Sequence, residues 1–207
     1  MTETPLVRTI TQVGIVVRDM DRALAAYTHK LGVGPWRVYT YAPPKLTGMR
    51  IRGVETPYSM KLALAWTGTM MWELIQPLDG PSIYQEFLRD HGEGIHHVMV
   101  DYGERSLEGV KAEFAARGWP VLMEGNYLGS QYAYFETEGS LTTTIEVRWS
   151  APGWQRPEPD SWYPAPPAAS SGRGGRTAGD AQALDAPQVG DAAGVSSRTG
   201  DGAARPC

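Results

Sequence analysis

Gln12, Glu73, His97 and Glu146 each interrupt a short apolar stretch that reads as a β-strand: TQVGIVV, MMWELIQ, IHHVMV and TTIEVRW. Successive side chains of a strand point to opposite faces, so an alternating apolar series marks the face packed on helices. Val13, Ile15 and Val17 leave Gln12 on the other face, and Trp72 and Leu74 leave Glu73 there. Val98 and Val100 place His97 beside Ile95 and Met99, while Ile145, Val147 and Trp149 leave Glu146 opposite. If the strands curl, all four line one concavity. A carboxylate inside a sheet is costly unless it is paired, protonated, solvated or bound to a metal. Two carboxylates, an imidazole and an amide oxygen make a mixed N/O donor set, which suits one divalent metal ion such as Zn, Co, Ni or Mn.

Each residue also has a plainer explanation. Glu146 lies two residues from Arg148 on the same strand face and could simply pair with it. A lone interior histidine is more often hydrogen-bonded than metal-bound, and Gln12 alone says little. The coincidence of all four at matching places favours a metal site. By parity His96 points away with Val98 and Val100, so of the two adjacent histidines His97 is the expected ligand.

The elements that must position these residues repeat. TQVGIVVRDMDRALAAYTHKLGV and HHVMVDYGERSLEGVKAEFAARGW share one plan: a short apolar strand, a polar turn, an amphipathic helix and a glycine. Met20, Leu24, Tyr27 and Leu31 fall on one helical face, as do Leu107, Val110 and Phe114. Asp19 and Ser106 suit the N-cap, and Gly32 and Gly118 the left-handed C-terminal position. Each helix is followed by strand-like segments, which gives the order βαβββ twice. The expected fold class is α+β, with two tandem βαβββ modules forming a half-barrel-like metal-binding concavity.

The expected boundaries are a first module over 8–77, a linker with a connecting helix over 78–94 and a second module over 95–150. A Pro/Trp-rich arm follows over 151–163, where Trp154, Trp162 and Tyr163 can pin it against the body. The tail over 164–207 has few large apolar side chains and is expected to be disordered.

Bulk properties exclude several classes of function. A formal net charge of -4 over 207 residues offers no basic field, so nucleic acid is not an expected partner. The one cysteine, Cys207, permits no intrachain disulfide and no cysteine-rich zinc site. No glycine-rich phosphate loop is present, and no apolar run reaches the roughly 18 residues of a membrane span. The expectation is a cytoplasmic protein with neither a membrane nor a nucleotide partner.

Over about residues 8–150 the arrangement resembles the vicinal oxygen chelate superfamily, which includes glyoxalase I, methylmalonyl-CoA epimerase, extradiol dioxygenases and resistance proteins. VGIVVRDMDRALAAYTHKLGV and GEGIHHVMV look most like the epimerase branch, whereas the set Gln, Glu, His, Glu is similar to that of eukaryotic-type glyoxalase I. The resemblance implies metal ligands at Gln12, Glu73, His97 and Glu146 and a homodimer. It also implies an isomerase, epimerase or lyase that moves a proton next to a carbonyl, in a small carbonyl compound or a CoA thioester. Glu146 is the expected base and Glu73 its partner on the opposite face. Two alternatives are a ring-cleaving dioxygenase, disfavoured because iron usually takes two histidines and a carboxylate, and a non-catalytic small-molecule binding protein of the resistance type.

Overall fold

The structure is a computed structural model that describes residues 5–167, so the expected tail lies almost wholly outside the described residues. Strand β1 (Thr9–Val16) leads into helix α1 (Met20–Leu31), then β2 (Trp36–Tyr41), β3 (Leu46–Ile51), β4 (Val54–Glu55), β5 (Met60–Thr67) and β6 (Met70–Pro77). Helix α2 (Ile83–Asp90) connects to β7 (Gly94–Asp101), α3 (Leu107–Ala116), β8 (Val121–Tyr127) and β9 (Ser130–Phe135). The short α4 (Glu138–Leu141), β10 (Thr144–Ser150) and β11 (Ser161–Tyr163) complete the described elements.

The helix ends follow local chemistry. The Asp19 side chain accepts from the Arg22 N–H at the start of α1, and Gly32 ends that helix at φ 70°, where a side chain would be strained. Ser106 caps α3 in the same way by accepting from the Gly109 N–H.

All strands join one mixed sheet in the order β11-β2-β5-β6-β1-β7-β10-β9-β8-β3-β4. The two units meet where β1 pairs antiparallel with β7, flanked by the parallel pairs β1/β6 and β7/β10. These four central strands carry Gln12, Glu73, His97 and Glu146. The β3/β4 hairpin leaves the first unit and pairs with β8, the outer strand of the second. Tyr41 at the end of β2 stacks on Tyr127 at the end of β8 with ring centroids 3.6 Å apart, so the ends of the curled sheet approach each other.

Burial follows the strand alternation on the convex side. Ile15, Val17 and Leu74 pack with Met20, Ala23 and Leu24 of α1, and Val100, Ile145 and Val147 with Leu107, Val110 and Phe114 of α3. The concave side has its own cluster, into which α2 inserts Ile83, Tyr84 and Leu88.

Parity fails at the start of β7. Gly14 faces His97 and Ile15 faces Ile95 across the β1/β7 ladder, which leaves His96 as the extra residue of a bulge. Ile95, expected beside His97, is instead 64% exposed. His96, expected to point away with Val98 and Val100, contacts the same Tyr134 ring as His97. The inserted residue breaks the period of two, and a pattern read residue by residue cannot register it.

Candidate metal centre

The four central strands bring the four sequence-predicted residues together. His97 Nε2 lies 3.1 Å from Glu146 Oε2 and 3.3 Å from Glu73 Oε2. The Gln12 amide is 2.5 Å from Glu73 Oε2, 3.3 Å from Glu146 Oε2 and 3.4 Å from His97 Nε2. All four side chains are buried, His97 completely. Glu146 takes these contacts from Gln12 and His97.

Donors about 2.1 Å from a common ion stand roughly 3.0 to 3.4 Å apart in octahedral or tetrahedral arrangements. The two histidine–carboxylate separations match that spacing, and one donor atom each from Glu73, His97 and Glu146 falls within a 4.8 Å group. The donor set therefore fits a divalent ion. Gln12 presents its NH2 group in the hydrogen-bonded arrangement, and a half-turn of the amide exchanges it for the carbonyl oxygen a cation requires.

The electrostatics of the group without an ion point the same way. Burial disfavours charge on His97, but hydrogen bonds and charges from Glu146 and Glu73 outweigh it and raise the imidazole to about 9. The Glu73 carboxyl is pushed up by burial and by the charge of Glu146, against the downward pull of His97 and Arg156. A proton on His97 thus partly offsets two buried carboxylates, the part a dication would take.

Two neighbours hold His97 in place. A Cβ added to Gly14 would lie 1.9 Å from His97 Cε1, so the imidazole occupies space that any other residue on β1 would fill. His96 Nδ1 lies 3.0 Å from His97 Nδ1, and burial, followed by the charges of His97 and His91, holds the His96 imidazole well below its ordinary pKa. A neutral His96 can exchange one proton-mediated bond with the far nitrogen of His97, which leaves Nε2 directed at the carboxylates.

A cavity opens onto the centre, lined by Gln12, Glu73, Glu146, Tyr134, Arg148 and Arg156 among others. Arg156 comes from the arm, whose Trp154 indole N–H donates to the Leu128 carbonyl at 2.9 Å. Trp162 and Tyr163 lie in β11, against β2. The sequence reading missed Gly14, the contact of His96 with His97, and Arg156. Only Gly14 carried a local signal, since a glycine inside a strand marks a close approach. His29 and His91 lie on the exposed surface.

The family model for the glyoxalase/bleomycin resistance protein/dioxygenase superfamily matches residues 11–135. The chain belongs to this superfamily. That matched span carries Gln12, Glu73 and His97 but stops short of Glu146, Arg148 and the arm. Among solved structures, methylmalonyl-CoA epimerase from Mycobacterium tuberculosis is 22% identical, with a TM-score of 0.52 over 73% of this chain and 94% of that one. A hypothetical protein from Bacillus halodurans C-125 is 21% identical, with a TM-score of 0.52 over 72% of this chain and 98% of that one. At these identities the likeness shows the superfamily fold. No curated protein matches the chain. Among the described residues no helix is long and apolar enough to cross a membrane.

Proposed function

We propose that the protein is a metal-dependent isomerase, epimerase or lyase that moves a proton at a carbon next to a carbonyl. The observation that carries this reading is the buried group of Glu73, His97 and Glu146, with donor atoms within 4.8 Å, whose two glutamates line a cavity. Gln12, Glu73, His97 and Glu146 hold the ion in this reading, and Zn, Co, Ni or Mn suits the donors better than Fe. When bound, the ion supplies Lewis-acid polarisation of a carbonyl oxygen.

The chain's own residues do the rest. Glu146 takes the proton from the carbon beside the carbonyl through a carboxylate oxygen, and Glu73 serves the opposite face. Returning the proton to the same carbon inverts its configuration, and returning it to the neighbouring carbon isomerises the compound. Tyr134 and its neighbours limit water around the exchanged proton, because their rings occupy the wall beside His97. The substrate is a small carbonyl compound or a CoA thioester, and the methylmalonyl-CoA epimerase fold of one neighbour favours the thioester. The same reading carries the homodimer that the resemblance implies and the cytoplasmic setting expected from the sequence.

Deuterium incorporation from heavy water tests it. The metal-loaded protein should exchange the proton next to the carbonyl in at least one of a panel of oxo acids, hydroxyketones and acyl thioesters. Glu146→Gln should lower that exchange by roughly 10²- to 10⁴-fold, the usual contribution of a positioned base. Full exchange by Glu146→Gln, or activity without stoichiometric metal, would rule the proposal out, and no exchange with any member of the panel would favour a binding protein.

A further inference from the structure

A second cavity, of about 500 Å³, shares no lining residue with the one at the metal centre. Its size falls within the roughly 300–1,000 Å³ of small-molecule sites. Ile83 and Phe87 of α2 form one side of it, and Thr144 at the start of β10 lies on the other.

Two buried polar side chains turn unspent atoms to this cavity. His96 is 7% exposed and Thr144 is 2% exposed, and both line it. Thr144 pairs with His97 across the β10/β7 ladder, which sets its hydroxyl beside the two histidines. That hydroxyl makes no hydrogen bond among the described residues, and His96, whose Nδ1 is engaged by His97, has no described partner for Nε2. Buried polar groups are ordinarily hydrogen-bonded, so two unspent ones at one cavity mark a place for a ligand atom. His97 carries a hydrogen on Nδ1 both when doubly protonated and when Nε2 holds an ion, so His96 Nδ1 accepts and its own hydrogen sits on Nε2. An N–H beside a hydroxyl binds a ligand oxygen.

The walls and the rim ask for something else. Phe87 stacks on His91 with ring centroids 5.0 Å apart and meets the His96 ring edge-on at 5.0 Å, and Leu122 adds an apolar surface. Glu86, Asp90, Glu136 and Glu138 line the cavity against the single guanidinium of Arg52, which Glu86 engages through bonds of 2.9 and 2.8 Å. Glu136 and Glu138 are exposed, so the excess negative charge lies toward solvent and favours a cation there.

We propose that this cavity is a second ligand site, which takes a small organic amine with an aromatic body and a hydroxyl or carbonyl oxygen at the end away from its ammonium group. The oxygen meets His96 Nε2 and the Thr144 hydroxyl, the body packs on Phe87 and Leu122, and the ammonium group lies by Glu136 and Glu138. The site stands apart from the proton-transfer reading and does not depend on it.

Calorimetric titration of the full chain at pH 7 with tyramine, phenethylamine and 3-(4-hydroxyphenyl)propionate tests it. Phenethylamine lacks the oxygen, and the propionate replaces the ammonium group by a carboxylate. Tyramine should bind one to one and roughly tenfold or more tightly than either, as one buried hydrogen bond and one charge reversal imply. Thr144→Val should bring tyramine close to the affinity of phenethylamine, and Glu136→Gln/Glu138→Gln, on the exposed rim, should remove most of the preference over the propionate. A folded Glu73→Gln/Glu146→Gln chain should bind tyramine as the unaltered chain does. Absence of saturable tyramine binding overturns the site, and so does tyramine binding left unchanged by Thr144→Val or by Glu136→Gln/Glu138→Gln. Loss of binding in Glu73→Gln/Glu146→Gln also overturns it, because the amine would then occupy the metal centre.

Discussion

Gly14 and His97 face each other across the β1/β7 ladder, and the imidazole of one fills the space where the other lacks a side chain. A Cβ at Gly14 would sit 1.9 Å from Cε1 and 2.1 Å from Nε2 of His97, closer than any non-bonded contact allows. The ring cannot retreat easily, because it is completely buried and packs against Tyr134 at 4.9 Å between centroids. Gly14→Ala should therefore displace the ring, lower Co²⁺ affinity at least tenfold and cost about 1–3 kcal/mol of stability from overpacking. Metal titration and thermal unfolding check both effects. Unchanged metal affinity would mean that His97 is not a ligand.

The two histidines of the bulge should separate by degree. His97→Ala removes the nitrogen closest to both carboxylates and should abolish stoichiometric metal binding. His96→Ala leaves the donor set whole but releases His97 Nδ1, and should weaken the metal by roughly 10- to 100-fold, as loss of an outer hydrogen-bond partner does. His96→Gln, which can still meet that nitrogen, should recover part of the loss. A pure packing role for His96 would leave metal affinity untouched in His96→Ala.

Stability of the metal-free protein should fall as pH rises. His97 is held at about 9 in the folded chain, above its ordinary 6.5, so its contribution is complete below about 6.5 and is lost as pH climbs through 9. The raised Glu73 carboxyl changes stability in the same direction at lower pH. The His97 shift corresponds to an effect on the order of 3 kcal/mol. Unfolding followed from pH 6 to 10 with a chelator should show the decline, and saturating Zn²⁺ or Co²⁺ should flatten it by replacing the proton. Metal binding at neutral pH should also release protons, readable by calorimetry in buffers of different ionisation enthalpy.

Tyr84 donates to the Tyr134 hydroxyl at 2.8 Å, and both rings are buried beside the histidines. Tyr134→Phe strands a buried hydroxyl and should cost about 1–3 kcal/mol, whereas Tyr84→Phe combined with Tyr134→Phe should come close to neutral. A double-mutant cycle by denaturant unfolding measures the difference. Strict additivity of the two single losses would show that the hydroxyls are not coupled.

The repeat was legible because it is local. Asp19, Gly32 and Ser106 punctuate α1 and α3 by hydrogen bonds within a few residues, and the alternation of Val13, Ile15 and Val17 marks a face by geometry alone. The same alternation was enough to single out Gln12, Glu73, His97 and Glu146, since a polar residue within an apolar series has only two faces to occupy.

The sequence by itself determined the α+β class, the paired units and the four polar residues turned from the helices, all consequences of periodicity and capping. Only the tertiary structure decided that a bulge turns His96 toward His97, that Gly14 makes room for the ring and that Arg156 enters the cavity. These relationships arise through ladder register and arm docking, neither of which any local pattern encodes.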